Sequence, residues 1–187
     1  MLFATNRSEI REIKLRLSQF AKEIRALGAL EFALMVPVLL LLWTGTVELA
    51  ALHLASRKVT IAAQSAADLI SQEVSVTDAT LEDIEQAINA IMAPYPTDTL
   101  GINLVSVTAD NDGNVGIGWR YNGGFAGGGA LGAIPPRAIP LVERNDSVIV
   151  AIVTYRHRGV FDLFFTNTEI TEEAFVRPRR VAQIPQL

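Results

Sequence analysis

The chain contains no cysteine, and this absence excludes several kinds of site. Without thiols there is no disulfide, no thiolate metal centre and no cysteine nucleophile. Histidine is also scarce, since His53 and His157 are the only two. Neither belongs to a visible set of nucleophile, base and orienting group. The sequence therefore predicts a protein that is not an enzyme and that holds no metal and no cofactor.

Ionisable residues are missing from a long stretch near the N-terminus. None occurs from Phe32 to Val47, and about 20 mostly apolar residues are enough for a helix to cross a bilayer. No second stretch downstream qualifies, so the sequence predicts one transmembrane helix, residues 28–54. A cleaved secretory signal is the alternative, but its apolar core would be shorter, about 7–15 residues, and would end at a small-residue cleavage site.

The segment before this stretch is basic. Residues 1–28 have a net charge of +3, which leaves −7 for the rest of a chain whose net charge is −4. Because Lys and Arg beside a span stay in the cytoplasm, we expect the N-terminus inside and the C-terminal part across the membrane. The basic leader, residues 1–27, can also attract the lipid bilayer's anionic headgroups. The acidic remainder gives no reason to expect nucleic acid as a partner.

The helical period continues past the apolar stretch, which predicts a single long helix over about 29–74 with a continuation, residues 55–75, outside the membrane. Small alanines on its apolar stripe permit close packing. The segment "TDATLEDIEQAINAIMAP" predicts a short amphipathic helix, with Thr80 as its N-cap and Pro94 as its stop.

The last part of the chain has the composition of strands, although Ile102, Leu104 and Val107 alternate only imperfectly. "INLVSVTA" and "VGIGWRY" flank the turn sequence "DNDGN" and predict a hairpin. "SVIVAIVTYRHR" predicts a buried strand and "TEITEEAFV" an outer one, while "RPRR" at 177–180 is interpreted as a solvated tail. Residues 76–187 are thus predicted to form an α+β domain with an antiparallel sheet of about four strands.

Two sequence patterns imitate ligand sites. Gly127, Gly129 and Gly132 match G-x-G-x-x-G, but they follow no strand, and the prolines at 135 and 136 prevent a helix directly afterwards. We interpret residues 122–136 as a Gly-rich loop. Asp110 and Asn114 lie in a stretch that resembles the start of a calcium loop, yet the twelfth-position glutamate is missing, so a hairpin turn is expected.

Two acids border the apolar stretch, Glu31 at its start and Glu48 near its end. An acid close to hydrocarbon costs on the order of 2–3 kcal/mol unless it finds a partner or stays at the interface. The 17 residues between them span about 25 Å of helix, so both could lie at opposite interfaces and extend to water. Pro37 removes one backbone hydrogen bond and is expected to kink the helix.

The stretch from Gly28 to Ser71 resembles the TadE-like family of minor pseudopilins of tight-adherence (Flp-type) pilus systems. Glu31-Phe32-Ala33-Leu34, Pro37, the Val47-Glu48-Leu49 run and the Ala-rich helix after it carry the resemblance. It implies a pilin-like long N-terminal helix followed by a small α+β domain. It also implies that Glu31, Phe32, Pro37 and Glu48 serve assembly.

The family resemblance further implies cleavage by a prepilin peptidase on the cytoplasmic side, with the glutamate near position five of the mature chain. That places the cut between Ala26 and Leu27, although such sites usually have glycine where Ala26 stands. A cut between Gly28 and Ala29 would respect the glycine but leave Glu31 third. Cleavage frees an α-amine that the Glu31 carboxylate of a neighbouring subunit can neutralise in a low dielectric.

The implied partners are other minor pilins and the major pilin, the inner-membrane assembly platform, the prepilin peptidase and the bilayer. The implied location is the bacterial inner membrane, with a single pass, a cytoplasmic N-terminus and a periplasmic C-terminal domain. The alternative is a signal-anchored periplasmic enzyme or ligand-binding module, which the long Gly-rich loop favours. Such a protein would have no use for Glu31 or for a cut near residue 27.

Overall fold

A computed structural model describes residues 12, 14–16, 18, 24–124 and 133–187, and for 24–26 it describes the backbone alone. The chain divides into two compact units, Met1–Val47 and Glu48–Leu187. In chain order the elements are helix α1 (Ile24–Ser71), helix α2 (Asp78–Met92), strands β1 (Leu100–Ala109) and β2 (Val115–Gly124), a short 3-10 helix (Ile139–Leu141), and strands β3 (Ser147–His157) and β4 (Thr168–Val176). The predicted α+β class with a long N-terminal helix, a short helix and four strands is confirmed.

The first unit contributes the apolar part of α1. One helical stretch, Leu27–Ser71, is long and apolar enough to cross a membrane, with a best window of mean hydropathy 2.0. Thr44 and Thr46 are polar, but their hydroxyls donate to the carbonyls of Leu40 and Leu42 at 2.9 and 2.7 Å. Their polar groups are therefore satisfied within the helix, as hydrocarbon surroundings require.

The second unit begins with the remainder of α1, which supplies one side of its core. The buried side chains recur at helical spacing and are mostly small, so the sheet and α2 can approach closely. They are Ala55, Val59, Ala62, Ala63, Ala66, Ala67 and Ile70, each at most 1% exposed. The predicted alanine stripe is thus the helix's contribution to a protein core.

The N-cap of helix α2 lies about one turn before Thr80. Thr77 is the N-cap, and its hydroxyl accepts a hydrogen bond from the Thr80 backbone N–H at 3.2 Å. The prediction of Thr80 as the N-cap was wrong, because Thr77 has the extended backbone that a cap needs, whereas Thr80 already lies in the first turn. At the other end, the Lys58 ammonium donates to the carbonyls of Ile91 and Ala93 and fixes the end of α2 to α1.

The four strands form one antiparallel sheet in the order β2-β1-β3-β4. The predicted hairpin is β1 with β2, the predicted buried strand is β3, and the predicted outer strand is β4 at the edge. Leu100 pairs with Tyr155 and Thr108 with Ser147, so β1 and β3 run side by side along nearly their whole length.

Both faces of the central strands are covered. Ile102 and Leu104 of β1 face the core shared with α1 and α2, whereas Val105 of β1 and Val150 of β3 belong to a second cluster that includes Ala138. A strand buried on both faces reads as a continuous apolar run rather than an alternation. This explains why the pattern of β1 alternates poorly in the sequence.

The C-terminal segment (177–187) packs against the domain. The Val76 N–H donates to the Pro185 carbonyl at 3.0 Å, and the Trp119 indole donates to the Ile184 carbonyl at 2.8 Å. Within "RPRR", Arg177 pairs with Glu143 at 2.7 Å and Arg179 pairs with Asp68. The arginines of "RPRR" are exposed, as a solvated segment requires, but the segment is not a free tail, because Arg177 and Arg179 pair with acids on other elements.

The stretch that resembles a calcium loop forms the expected hairpin turn. Asp110 accepts hydrogen bonds from the N–H groups of Asp112 and Asn114 at 2.9 and 2.8 Å, and Gly113 has a φ of +92°. The Asp110 carboxylate is thus occupied by the turn itself, and hydrogen bonds from Asn114 lower its pKa. The glycines of the other pattern, Gly127, Gly129 and Gly132, lie outside the described residues, as does most of the leader.

Candidate functional site

Glu31 begins the apolar part of α1. It is exposed, as is Phe32, whose side chain is 67% accessible. Within the part of the chain that the structure describes, no hydrogen bond or ion pair involves Glu31. Pro37 lies inside the helix six residues later. Glu31, the acid predicted to pair with another subunit, therefore has no partner among the described residues. It lies at the start of an exposed apolar stretch of α1.

Both candidate processing bonds lie in the first turns of α1. Ala26, Leu27, Gly28 and Ala29 are helical, and the last three are exposed. A side chain added at Gly28 would meet nothing within 4 Å. Packing within the described part of the chain therefore does not require glycine at this position.

Glu48 has surroundings unlike those of Glu31. Its side chain is completely buried, and its carboxylate accepts four backbone N–H groups from the connection between β3 and β4. Oε1 accepts from Phe161 at 3.2 Å and Leu163 at 3.0 Å, and Oε2 accepts from Phe164 at 2.8 Å and Phe165 at 3.3 Å. The interpretation of Glu48 as a side chain extending to water at the interface was wrong, because backbone donors take the place of water.

We call residues 159–165, "GVFDLFF", the aromatic loop. Two local features allow its N–H groups to converge on one carboxylate, in the manner of a backbone anion nest. Asp162 adopts a left-handed backbone with a φ of 55°. Gly159 lies so close to the acid that a Cβ there would stand 3.2 Å from Oε1 of Glu48.

Sequence reasoning missed this arrangement. The donors lie 113 to 117 residues away from Glu48, so no local pattern connects them. The available signals were an acid inside an otherwise apolar helical segment and a short run of large apolar residues after a glycine, and neither indicates a pairing.

A cleft of about 480 Å³ lies beside this arrangement and is lined by Ala51, Tyr95, Tyr155, His157 and Val160, among others. His157 is 3% exposed, and neither ring nitrogen has a hydrogen-bond partner among the described residues. Burial lowers the pKa of His157, and the negative charge of Glu48 opposes that shift in part. The Tyr95 ring packs against the imidazole with centroids 6.2 Å apart.

This cleft does not have the parts of a catalytic site. No serine hydroxyl or carboxylate hydrogen-bonds to His157 in the described ranges, and those ranges contain no group of three or more His, Asp or Glu that could hold a metal. The imidazole instead packs against two tyrosine rings, which fits a structural role.

The helix that carries both acids is also the part of the chain that matches a known family. Residues 27–68 match the family model of TadE-like proteins. A search of curated proteins and a search of solved structures found no match. The resemblance inferred from the sequence is thereby confirmed.

The TadE-like segment contains Glu31, Pro37 and Glu48, and it ends at Asp68, before α2 and the sheet. The TadE-like family consists of structural pilus components and is not a family of enzymes. The match therefore indicates a protein associated with the tight-adherence (Tad) pilus.

Proposed function

We propose that this chain is a minor pseudopilin, a structural component of a tight-adherence (Flp) pilus or a related secretion apparatus. The observation that carries the proposal is the TadE-like match over residues 27–68, in which Glu31, without a partner among the described residues, begins an exposed apolar helix. Its partners are other minor pilins, the major pilin and the inner-membrane assembly platform.

The proposed location is the bacterial inner membrane, crossed once by α1. The basic leader favours a cytoplasmic N-terminus and a periplasmic C-terminal domain. The hydroxyls of Thr44 and Thr46 are bonded within the helix, which supports a hydrocarbon environment for this part of α1.

A prepilin peptidase matures the protein at Ala26-Leu27 or at Gly28-Ala29. Intact-mass and N-terminal analysis of membrane-extracted protein, from cells with and without the peptidase, tests this step. We expect a peptidase-dependent N-terminus at Leu27 or Ala29. A mature chain that retains Met1 in cells with active peptidase would contradict maturation.

Glu31 pairs with the α-amine that cleavage frees on a neighbouring subunit. Glu31→Gln keeps the shape of the side chain and removes its charge, so the variant should insert and be cleaved normally but fail to support pili. Removing one member of a buried ion pair costs about 3–5 kcal/mol, which weakens association by roughly 10²-fold to 10³-fold or more. Piliation and crosslinking to pilin partners at matched membrane levels are the measurements.

The matched control is Glu82→Gln, which removes the same charge from an exposed position on α2. Glu48→Gln is unsuitable as a control, because Glu48 holds the aromatic loop and its substitution changes the domain itself. Full piliation by Glu31→Gln would refute the pairing, whereas a loss shared by Glu82→Gln would indicate a non-specific charge effect.

A further inference from the structure

The aromatic loop exposes an unusual amount of apolar surface. Val160, Phe161, Leu163 and Phe164 have exposed fractions of 61%, 42%, 62% and 52% within this short stretch of chain. Large apolar side chains that are exposed next to one another mark surfaces that contact a membrane or a protein. The loop is therefore a candidate docking surface.

Part of the loop backbone is satisfied by the protein rather than by water. Four of its N–H groups donate to Glu48, so they need no solvent. Irregular backbone can enter a bilayer only where its polar groups are satisfied by the protein. The apolar side chains and the satisfied N–H groups together favour lipid as the surrounding medium.

The position of Glu48 in the sequence indicates at which depth the loop meets the membrane. Glu48 directly follows the stretch Phe32–Val47, which has no ionisable side chain, and its hydrogen bonds hold the loop at the turn of α1 that contains Glu48. Arg158, next to the loop, is exposed and can reach lipid phosphate. Asp162 is charged and exposed within the loop, which limits insertion to the headgroup boundary.

We propose that the aromatic loop inserts shallowly into the leaflet at the C-terminal end of the span, as a second membrane contact beside α1. The occupant of this surface is the lipid bilayer. The inference rests on the proposed membrane crossing of α1, and it adds a contact from the C-terminal domain that fixes how this domain meets the membrane.

The absence of cysteine makes a labelling experiment clean, since each introduced thiol is unique. Leu163→Cys carries an environment-sensitive fluorophore in full-length protein reconstituted into phosphatidylethanolamine and phosphatidylglycerol vesicles at a low ratio of protein to lipid. Nitroxide-labelled lipids, with the quencher near the headgroup or deep in the acyl chain, report contact with the bilayer.

Two further labelled variants serve as references. Leu40→Cys lies in the apolar part of α1 and reports whether the helix crosses. Asp112→Cys lies in the hairpin turn at the other end of the sheet, about 30 Å from the loop end of β3 given the rise of its eleven residues. The Asp112 label should be quenched by neither lipid.

We expect the Leu163 label to be quenched by the shallow nitroxide more than by the deep one, with emission shifted to shorter wavelength than that of the Asp112 label. If the Leu40 label is quenched while the Leu163 label behaves like the Asp112 label, the loop does not enter the bilayer and the inference is overturned. If the Leu40 label is not quenched, the anchor itself fails, and the inference falls with it. Disulfide-linked dimers of the unlabelled Leu163→Cys protein, together with no lipid quenching of the labelled protein, would assign the surface to a second copy and would also overturn the inference.

Discussion

At the scale of single residues, Glu48 binds the aromatic loop through both of its carboxylate oxygens. Each oxygen accepts two backbone N–H groups, those of Phe161 and Leu163 at Oε1 and those of Phe164 and Phe165 at Oε2. A carboxylate is the side-chain group that can accept at both ends, whereas an amide of the same shape has one accepting end.

Glu48→Gln should therefore release part of the loop. The amide NH2 group would face two N–H donors, so one pair of loop amides loses its acceptor. We expect hydrogen exchange in a peptide covering residues 159–167 to accelerate roughly tenfold or more, the scale expected for losing charge-assisted hydrogen bonds. Glu31→Gln removes the same charge from the same helix but outside the compact unit that contains the loop, so it is the control and should leave this exchange unchanged. Equal protection in Glu48→Gln and the wild type would show that Glu48 does not hold the loop.

His157 makes the stability of the domain depend on pH. Burial lowers its pKa in the folded state, so the unfolded chain takes up the proton first as pH falls. The contribution of His157 to stability is complete above the unfolded pKa of about 6.5 and declines below it, by up to about 1.4 kcal/mol per pH unit, until the folded pKa is reached. Glu48, Tyr95 and Tyr155 are the titratable groups that face the ring.

The measurement is urea unfolding in detergent between pH 5 and 7.5. We expect His157→Phe, which keeps an aromatic ring, to flatten the decline in stability toward low pH. His53→Gln removes the other histidine, which is exposed, and should retain the wild-type dependence. A decline that persists unchanged in His157→Phe would assign the pH dependence to other groups.

At the scale of elements, α2 depends on its N-terminal cap. Thr77 accepts the Thr80 N–H through its hydroxyl, and Leu81, Ile84 and Ile88 then face the core. Thr77→Ala should lower the free energy of unfolding by about 1 kcal/mol, the usual cost of losing such a cap. Thr77→Ser keeps the hydroxyl and should stay near the wild type in the same urea titration. Equal losses in both variants would point to the lost methyl group rather than to the cap.

The secondary structure could be predicted from the sequence because its signals are local. The period of α1, the stop at Pro94 and the turn chemistry at Asp110 each lie within a few residues, and the corresponding elements are present. The Thr77 cap was missed because two threonines three residues apart both satisfy the pattern, and backbone geometry decides between them.

The sequence indicates the two acids of the candidate site but not the hydrogen-bond partners of Glu48. Glu31 stands out because its relation to the apolar stretch and to the family motif is visible along the chain, and its role in assembly stays a prediction. The partners of Glu48 were not, because they follow from the fold of β3 and β4, at least 113 residues away. The ion pairs of Arg177 and Arg179 were missed for the same reason, since Glu143 and Asp68 come close to them only in the folded domain.

At the scale of the whole molecule, the helix that carries the TadE-like segment is also part of the C-terminal domain. Seven side chains of α1 between Ala55 and Ile70 lie in the same core as Leu81 and Leu104. The second compact unit accordingly starts at Glu48, and the predicted domain at 76–187 contains only part of that unit. Assembly contacts made by α1 and the packing of the domain therefore involve one continuous element.

This organisation predicts where the chain can be cut. A fragment of residues 48–187 keeps the whole unit and should fold without the apolar anchor. A fragment of residues 76–187 loses the buried Val59 and Ile70 together with five buried alanines, a loss of about 8 kcal/mol of apolar burial. This is comparable to the entire stability of a typical domain, about 5–15 kcal/mol.

The two fragments are compared by the cooperativity of urea unfolding and by dispersion of amide NMR signals. We expect a cooperative transition and dispersed signals for 48–187, and neither for 76–187. The substitution Ala62→Asp in the longer fragment provides an internal check, because it places an unpaired charge at a fully buried position while leaving the length unchanged. That variant should lose the transition as the short fragment does. Cooperative unfolding of 76–187 would mean that the sheet and α2 are stable alone, and that α1 is attached to the domain rather than part of its core.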